Sequence, residues 1–119
     1  MTANEMRLRT KAYANRVVKL CGSLPNNWVA RTLGKQLLRC GTSVGANYRS
    51  VGRAKSTADF INKLRIVEEE CDESLFWMEL LLENGFIKAA QLRELMDETD
   101  EILAIVVASS KTARGSSGS

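Results

Sequence analysis

No histidine occurs anywhere in the 119 residues. The commonest general base near neutral pH and the commonest zinc ligand are therefore both missing. Ser43, Ser56 and the three cysteines have no imidazole to activate them as nucleophiles. The Gly-x-x-x-x-Gly-Lys-Ser/Thr phosphate loop is also absent. The chain is expected to be no enzyme and to need no cofactor. A single proline and few aromatics do not suit a β-sandwich or barrel. No apolar run approaches the ~18 residues that span a bilayer. The first residues, MTANEMRLRTKAYANRVV, lack the continuous apolar centre of a signal peptide. A cytoplasmic protein with no membrane association is the expectation. Cys21, Cys40 and Cys71 are odd in number and follow no metal-binding spacing. They read as reduced thiols inside helices, used as small core residues.

What is present favours helices. Leu, Ala, Glu, Lys and Arg are abundant, and a balance of 45% hydrophobic to 26% charged residues is that of a folded domain. The length fits one core. The first helix is expected over about 4–21, with Met6, Tyr13, Val17 and Leu20 at bundle-like spacing. Gly22-Ser23-Leu24-Pro25-Asn26 then makes a turn. Asn26 or Asn27 caps a second helix that reaches about Arg53. Ser56-Thr57-Ala58-Asp59 resembles a capping box and opens a third helix, which ends at Asn84-Gly85. A fourth runs over about 88–111 on Leu92, Leu95, Met96, Leu103, Val106 and Val107. Short connections between long helices make neighbours antiparallel. The fold is thus expected to be all-α, an antiparallel up-down-up-down four-helix bundle over residues 1–111. Residues 112–119 are expected to be a flexible polar tail, with the composition of an added linker.

Charge is unevenly distributed. Residues 1–65 carry thirteen Lys and Arg against Glu5 and Asp59, a net of +11. The remainder carries four against twelve acids, a net of −8. Such asymmetry points either to a polyanionic partner or to basic helices pairing with acidic ones. Glu68, Glu69, Glu70, Asp72 and Glu73 point all round the third helix, and no histidine joins them, so no metal site is expected.

The second helix sorts these charges onto a face. At about 100° per residue from Arg31, Arg49 returns to about 0°, Lys35 and Arg53 lie near 40° and Arg39 near 80°. Five cations thus back an apolar stripe of Leu33, Leu37, Cys40, Val44, Tyr48 and Val51. A line of cations along a helix can follow a phosphate backbone without reading sequence. Lys55, Lys63 and Arg65 could extend that surface. The bland reading is a solvated face. Gly34, Gly41, Gly45 and Gly52 fall within a strip about 40° wide. Each glycine costs a helix about 1 kcal/mol against alanine. Four in line imply a compensating close approach, either inside the bundle or to a second subunit. In the third helix Phe60, Leu64, Val67, Cys71, Leu75, Met78 and Leu82 form the core stripe. Ile66, Phe76, Trp77 and Leu80 lie outside it, a second apolar face read as a subunit interface.

Three segments carry a resemblance. Leu24-Pro25, QLLRCGTSVGANY over 36–48 and DFINKLRIVEEECDESLFWMELL over 59–81 occur in order. Together they resemble the four-helix-bundle proteins encoded in intervening sequences of bacterial 23S ribosomal RNA genes. They are also similar to the accessory variability determinant of diversity-generating retroelements. The resemblance implies a ring-shaped homopentamer with a basic surface. In the retroelement branch it implies nucleic-acid binding beside a reverse transcriptase. It carries over no activity from the ribosomal-RNA branch. Two functions follow: an oligomeric bundle that binds RNA or DNA through its basic face, or a protein-interaction scaffold with no nucleic-acid role.

Overall fold

The computed structural model describes residues 1–118, with side chains through 115. It is an all-α four-helix bundle: α1 (Ala3–Gly22), α2 (Trp28–Val51), α3 (Thr57–Glu83) and α4 (Ala89–Gly118). Each helix packs on the next in the chain and α4 returns to α1, an up-down-up-down order in a rod of 52 × 21 × 20 Å.

Side-chain caps account for the helix starts. Thr2 accepts from the Glu5 N–H and its own N–H donates to Glu5 Oε1, a complete capping box that begins α1 earlier than expected. Asn27, rather than Asn26, caps α2 by accepting from the N–H groups of Val29 and Ala30 at 2.9 and 3.1 Å. Ser56 caps α3 through the Asp59 N–H. The return bond of that box goes elsewhere, because Asp59 Oδ2 accepts from the Lys55 N–H at 3.0 Å. An aspartate is one methylene shorter than the usual glutamate, and here it reaches Lys55 instead of the cap. After α3, Gly85 takes φ +73°, a left-handed conformation that suits glycine at a helix C-terminus. Helix α4 continues through 112–118, past the boundary expected at Lys111. Ser119 lies outside the described residues.

The core follows the apolar stripes. Tyr13, Val17, Leu37, Val44, Leu64, Val67, Met78, Leu81, Leu92, Ile102 and Val106 are fully buried. Cys40 and Cys71 are buried with them, and Cys21 is half-buried. Among the described residues, Thr10, Ser74 and Thr99 are fully enclosed polar side chains with a partner each, while the buried Ser110 Oγ has none. Thr10 donates to the Arg7 carbonyl, Ser74 to that of Glu70 and Thr99 to that of Leu95. The single Thr99 proton is thereby used, so Tyr13 donates its hydroxyl to Thr99 Oγ1 at 2.7 Å. This bond crosses the core from α1 to α4. At the surface, Arg9 Nε and Nη2 grip both Glu98 oxygens at 2.8 and 2.6 Å, and Nη2 also reaches Glu101. The fourth wall of the bundle is held by these bonds.

Three of the four aligned glycines explain the α1–α2 wall. A Cβ on Gly34 would stand 2.6 Å from Leu24 Cδ1, and one on Gly41 would stand 2.7 Å from Val17 Cγ1. At Gly45 it would meet the Thr10 carbonyl oxygen at 3.0 Å. At Gly41 and Gly45 the close approach is thus between α1 and α2 of one chain, and at Gly34 the room is taken by Leu24 of the α1–α2 turn. Of the two approaches the sequence left open, the neighbours of Gly34, Gly41 and Gly45 here are those inside the bundle. Gly52 plays a different part: it is the C-cap of α2 and has no such neighbour.

Candidate nucleic-acid interface and neighbouring cavities

Charge segregates by helix pair. Counted within the helix bounds, α1 and α2 together carry +8, and α3 and α4 together carry −8. The α1–α2 half of the bundle is thus net basic and the α3–α4 half net acidic.

The cations singled out from the sequence do not form one strip. Arg49 and Arg53 border a cavity of about 400 Å³ at the distal end of the α1–α2 side, with Arg7 and Lys11 of α1. A smaller cavity of about 180 Å³ beside it shares Arg7, Lys11 and Arg49 and has Gly45 in its wall. The missing Cβ at Gly45 lets α1 and α2 draw together, which brings cations of both helices to one groove. Arg7 donates to Asn4 at 2.6 Å, and among the described residues none of these four cations pairs with a carboxylate. Arg7 and Lys11 are not among the cations that the sequence singles out. Their i, i+4 spacing, off the Met6–Tyr13–Val17 stripe, is the available signal.

Arg31 and Lys35 stand elsewhere, on the rim of an apolar cavity of about 470 Å³ near the α1–α2 turn. Its floor is Val18, Cys21, Leu24, Pro25 and Leu38. Arg31 also donates to Asn26 across the turn. Arg39 faces the other way. It borders a cavity of about 480 Å³ between α2 and α3 with Glu69, Asp72, Glu73, Phe76 and Trp77. Lys63 is taken by Asp59, with Nζ 2.9 and 3.1 Å from its two oxygens. The Lys55 backbone caps that same carboxylate, and Arg65 is exposed on α3. Helical angles about one axis place residues on a face but do not say which neighbouring helix each edge of the face meets.

The second apolar face of α3 divides as well. Phe76 is 52% exposed and Ile66 36%. Trp77 and Leu80 are half-buried, and Trp77 packs in part on the core. The Phe76 and Trp77 rings meet edge to face with centroids 5.0 Å apart.

Titration follows burial and contact. Burial pushes the Cys21 thiol up to about 11 and, with Asp72 nearby, the Cys71 thiol up to about 12. Burial also raises Cys40. These are poor nucleophiles near neutral pH, where the thiolate is scarce. Hydrogen bonds from Arg9 hold Glu98 below the usual carboxylate range. Among the described residues no three His, Cys, Asp or Glu side chains gather in a way that could hold a metal ion. No helix of the described residues is long and apolar enough to cross a membrane.

Two comparisons with known proteins bear on the chain. The family described as 23S rRNA-intervening sequence protein matches residues 3–108. A crystal structure of a protein of unknown function from the S23 ribosomal protein family of Bacteroides thetaiotaomicron is similar at 36% identity. It superposes with a TM-score of 0.86 over 93% of this chain and 99% of that one. No curated protein matches.

Proposed function

The chain belongs to the family of 23S rRNA-intervening sequence proteins, and from that premise we propose that it is a non-enzymatic, self-assembling bundle that binds RNA or DNA through phosphate contacts. The comparisons establish this family and not the retroelement branch, whose resemblance rests on the motifs at 36–48 and 59–81 alone. The observation that carries the reading is the distal α1–α2 groove. Arg7, Lys11, Arg49 and Arg53 converge on it from two helices without a carboxylate among them. Such a groove attracts a polyanion by charge and reads no base edge, so binding is nonspecific in sequence and released by salt. A homopentamer is the assembly the family resemblance implies. The cytoplasmic assignment agrees with three free thiols.

The second reading, a protein scaffold with no nucleic-acid role, is favoured by the carboxylate-rich cavity beside Phe76. One experiment separates the two. Affinity for a single-stranded RNA and a duplex DNA of unrelated sequence is measured by fluorescence anisotropy over a range of salt. The binding reading expects log Kd to rise linearly with log salt. Arg49→Glu with Arg53→Glu should weaken binding and reduce the slope by about 2, one for each phosphate that is no longer neutralised. No binding at low salt, or binding unchanged in that variant with the helical content intact, leaves the scaffold.

A further inference from the structure

A further cavity continues the cationic groove at the same end of the bundle. It measures about 340 Å³ and shares Arg7, Arg49 and Gly52 with the groove. Its wall is of another kind. Tyr48 and Val51 of α2 and Phe60 of α3 line it, with Asn4 of α1 and Ser109 of α4, so all four helices meet there. Both rings are half-buried and pack in part on the core, which holds them in place. No carboxylate lines the cavity.

Polar atoms at this wall are unused. Among the described residues the hydroxyls of Tyr48 and Ser109 make no hydrogen bond. Burial raises the Tyr48 phenol above its ordinary value, so it stays a neutral donor beside phosphate. Asn4 Oδ1 accepts from Arg7, which leaves the amide hydrogens of Asn4 free. Gly52 stands between groove and cavity. A Cβ there would meet nothing nearer than the Arg49 carbonyl oxygen at 3.9 Å, so no side chain closes the passage.

We infer that this cavity seats one unpaired base of a single strand whose phosphates lie in the groove. The inference rests on the phosphate-binding reading above and narrows its ligand to single-stranded nucleic acid. Three features select a base. Every base has a π-face, and aromatic side chains stack on it whatever its identity. Hydroxyls and an amide can donate to the base oxygens and nitrogens that pairing hides in a duplex. The volume stands at the low end of the range of about 300–1,000 Å³ for ligand pockets, which suits one base and not a stacked pair. A duplex keeps its bases paired and reaches the groove by its phosphates alone.

The two contributions respond differently to salt. Phosphate contacts release counterions, so their share of the affinity falls as salt rises. Seating a base neutralises no phosphate and releases none, so its share stays. The base should therefore appear as a constant offset between two binding lines.

The test compares a short oligothymidylate with a strand of the same length in which abasic sugars replace the nucleosides. Both carry the same number of phosphates, and both are titrated by fluorescence anisotropy over a range of salt. The intact strand should bind on the order of tenfold more tightly, the effect of stacking one base, with parallel lines of log Kd against log salt. Tyr48→Leu and Phe60→Leu each remove a ring and keep an apolar side chain, and circular dichroism checks the fold. In each the offset should shrink severalfold, while the abasic strand and a duplex bind as they do to the native chain. Lys11→Glu, which alters the groove alone, should weaken both strands and keep the offset. Equal affinity for intact and abasic strands would overturn the base site while leaving the phosphate groove standing. An offset that survives both ring variants would overturn it too, since the base then sits elsewhere. Binding of neither strand at low salt would overturn both readings.

Discussion

Gly41→Ala puts a number on the α1–α2 contact. Two effects oppose each other. Alanine in a helix interior gains about 1 kcal/mol over glycine. Against that, the new Cβ would stand 2.7 and 2.9 Å from the two Cγ atoms of Val17 and 3.2 Å from its Cβ. Val17 is fully buried and β-branched, and such a side chain has essentially one χ1 rotamer in a helix. Neither methyl can turn away, so the helices must part or strain. Overpacking of this kind costs roughly 1–3 kcal/mol, and two contacts below 3 Å argue for the upper half of that range. The net expectation is destabilisation by about 1–2 kcal/mol. With a urea slope of roughly 1–3 kcal/mol per molar, the midpoint should fall by about 0.5–1 M.

The partner variant makes the reasoning testable. Val17→Ala should cost roughly 2 kcal/mol from two lost methyl groups and the space they leave. In that background both Cγ atoms are gone, so Gly41→Ala should turn neutral or stabilising. The double-mutant cycle should then show a coupling of roughly 2 kcal/mol in favour of the pair. Unfolding is followed by circular dichroism at two protein concentrations, so that a change in assembly is not mistaken for a change in packing. Stabilisation by Gly41→Ala alone, with a coupling below about 0.5 kcal/mol, would refute the close approach of the two helices.

Three further outcomes are expected. Tyr13→Phe removes only a donor to Thr99 Oγ1, whose own proton still goes to Leu95, so urea unfolding should show a loss of about 0.5–1.5 kcal/mol without a change of fold. Glu98 has a folded pKa depressed below its ordinary 4.5, so its stabilisation is present above that value and is lost as pH falls through the folded pKa. Midpoints measured from pH 6 down to 3 should therefore drop less steeply below pH 4.5 in Glu98→Gln than in the native chain. With Cys40 and Cys71 buried and their thiols raised by burial, a disulfide reagent at pH 8 should label Cys21 first and slowly, and all three at once in urea. Immediate labelling of all three in the folded protein would contradict the packing of α2 on α3.

The fold is legible in the sequence because helix periodicity is a local property. The apolar spacing in α2 and α3, the Asn27 cap and the Gly85 stop each depend on residues within a turn or two. Thr2-x-x-Glu5 is equally local, and its capping box is why α1 begins before the expected Asn4. The site is less legible because it depends on what lies across from each helix. The wheel of α2 puts Arg39 with Arg31 and Arg49, yet Arg39 opens toward the carboxylates of α3 and the others toward α1. Arg9 does not stand out among the cations of α1, and its partners Glu98 and Glu101 lie some ninety positions away. The glycine strip signals a close approach correctly, but a single sequence does not say whether the approaching helix belongs to the same chain.

Net charge is a poor guide to what this surface can bind. A total of +3 suggests a nearly neutral particle. Yet the α1–α2 side carries a net +8 and the α3–α4 side a net −8. Arg9 of the basic half is paired with Glu98 and Glu101 of the acidic half, so what a charged ligand meets depends on which cations stand away from carboxylates. The structure divides that side by chemistry. Near the turn the cations edge an apolar floor, which gives phosphate little to bond. At the distal end they surround a polar groove, which an aromatic side chain cannot fill and phosphate can. Reversing Arg49 and Arg53 should then weaken nucleic-acid binding without changing the assembled mass. Reversing Arg31 and Lys35, at the edge of the apolar floor, should weaken that binding less.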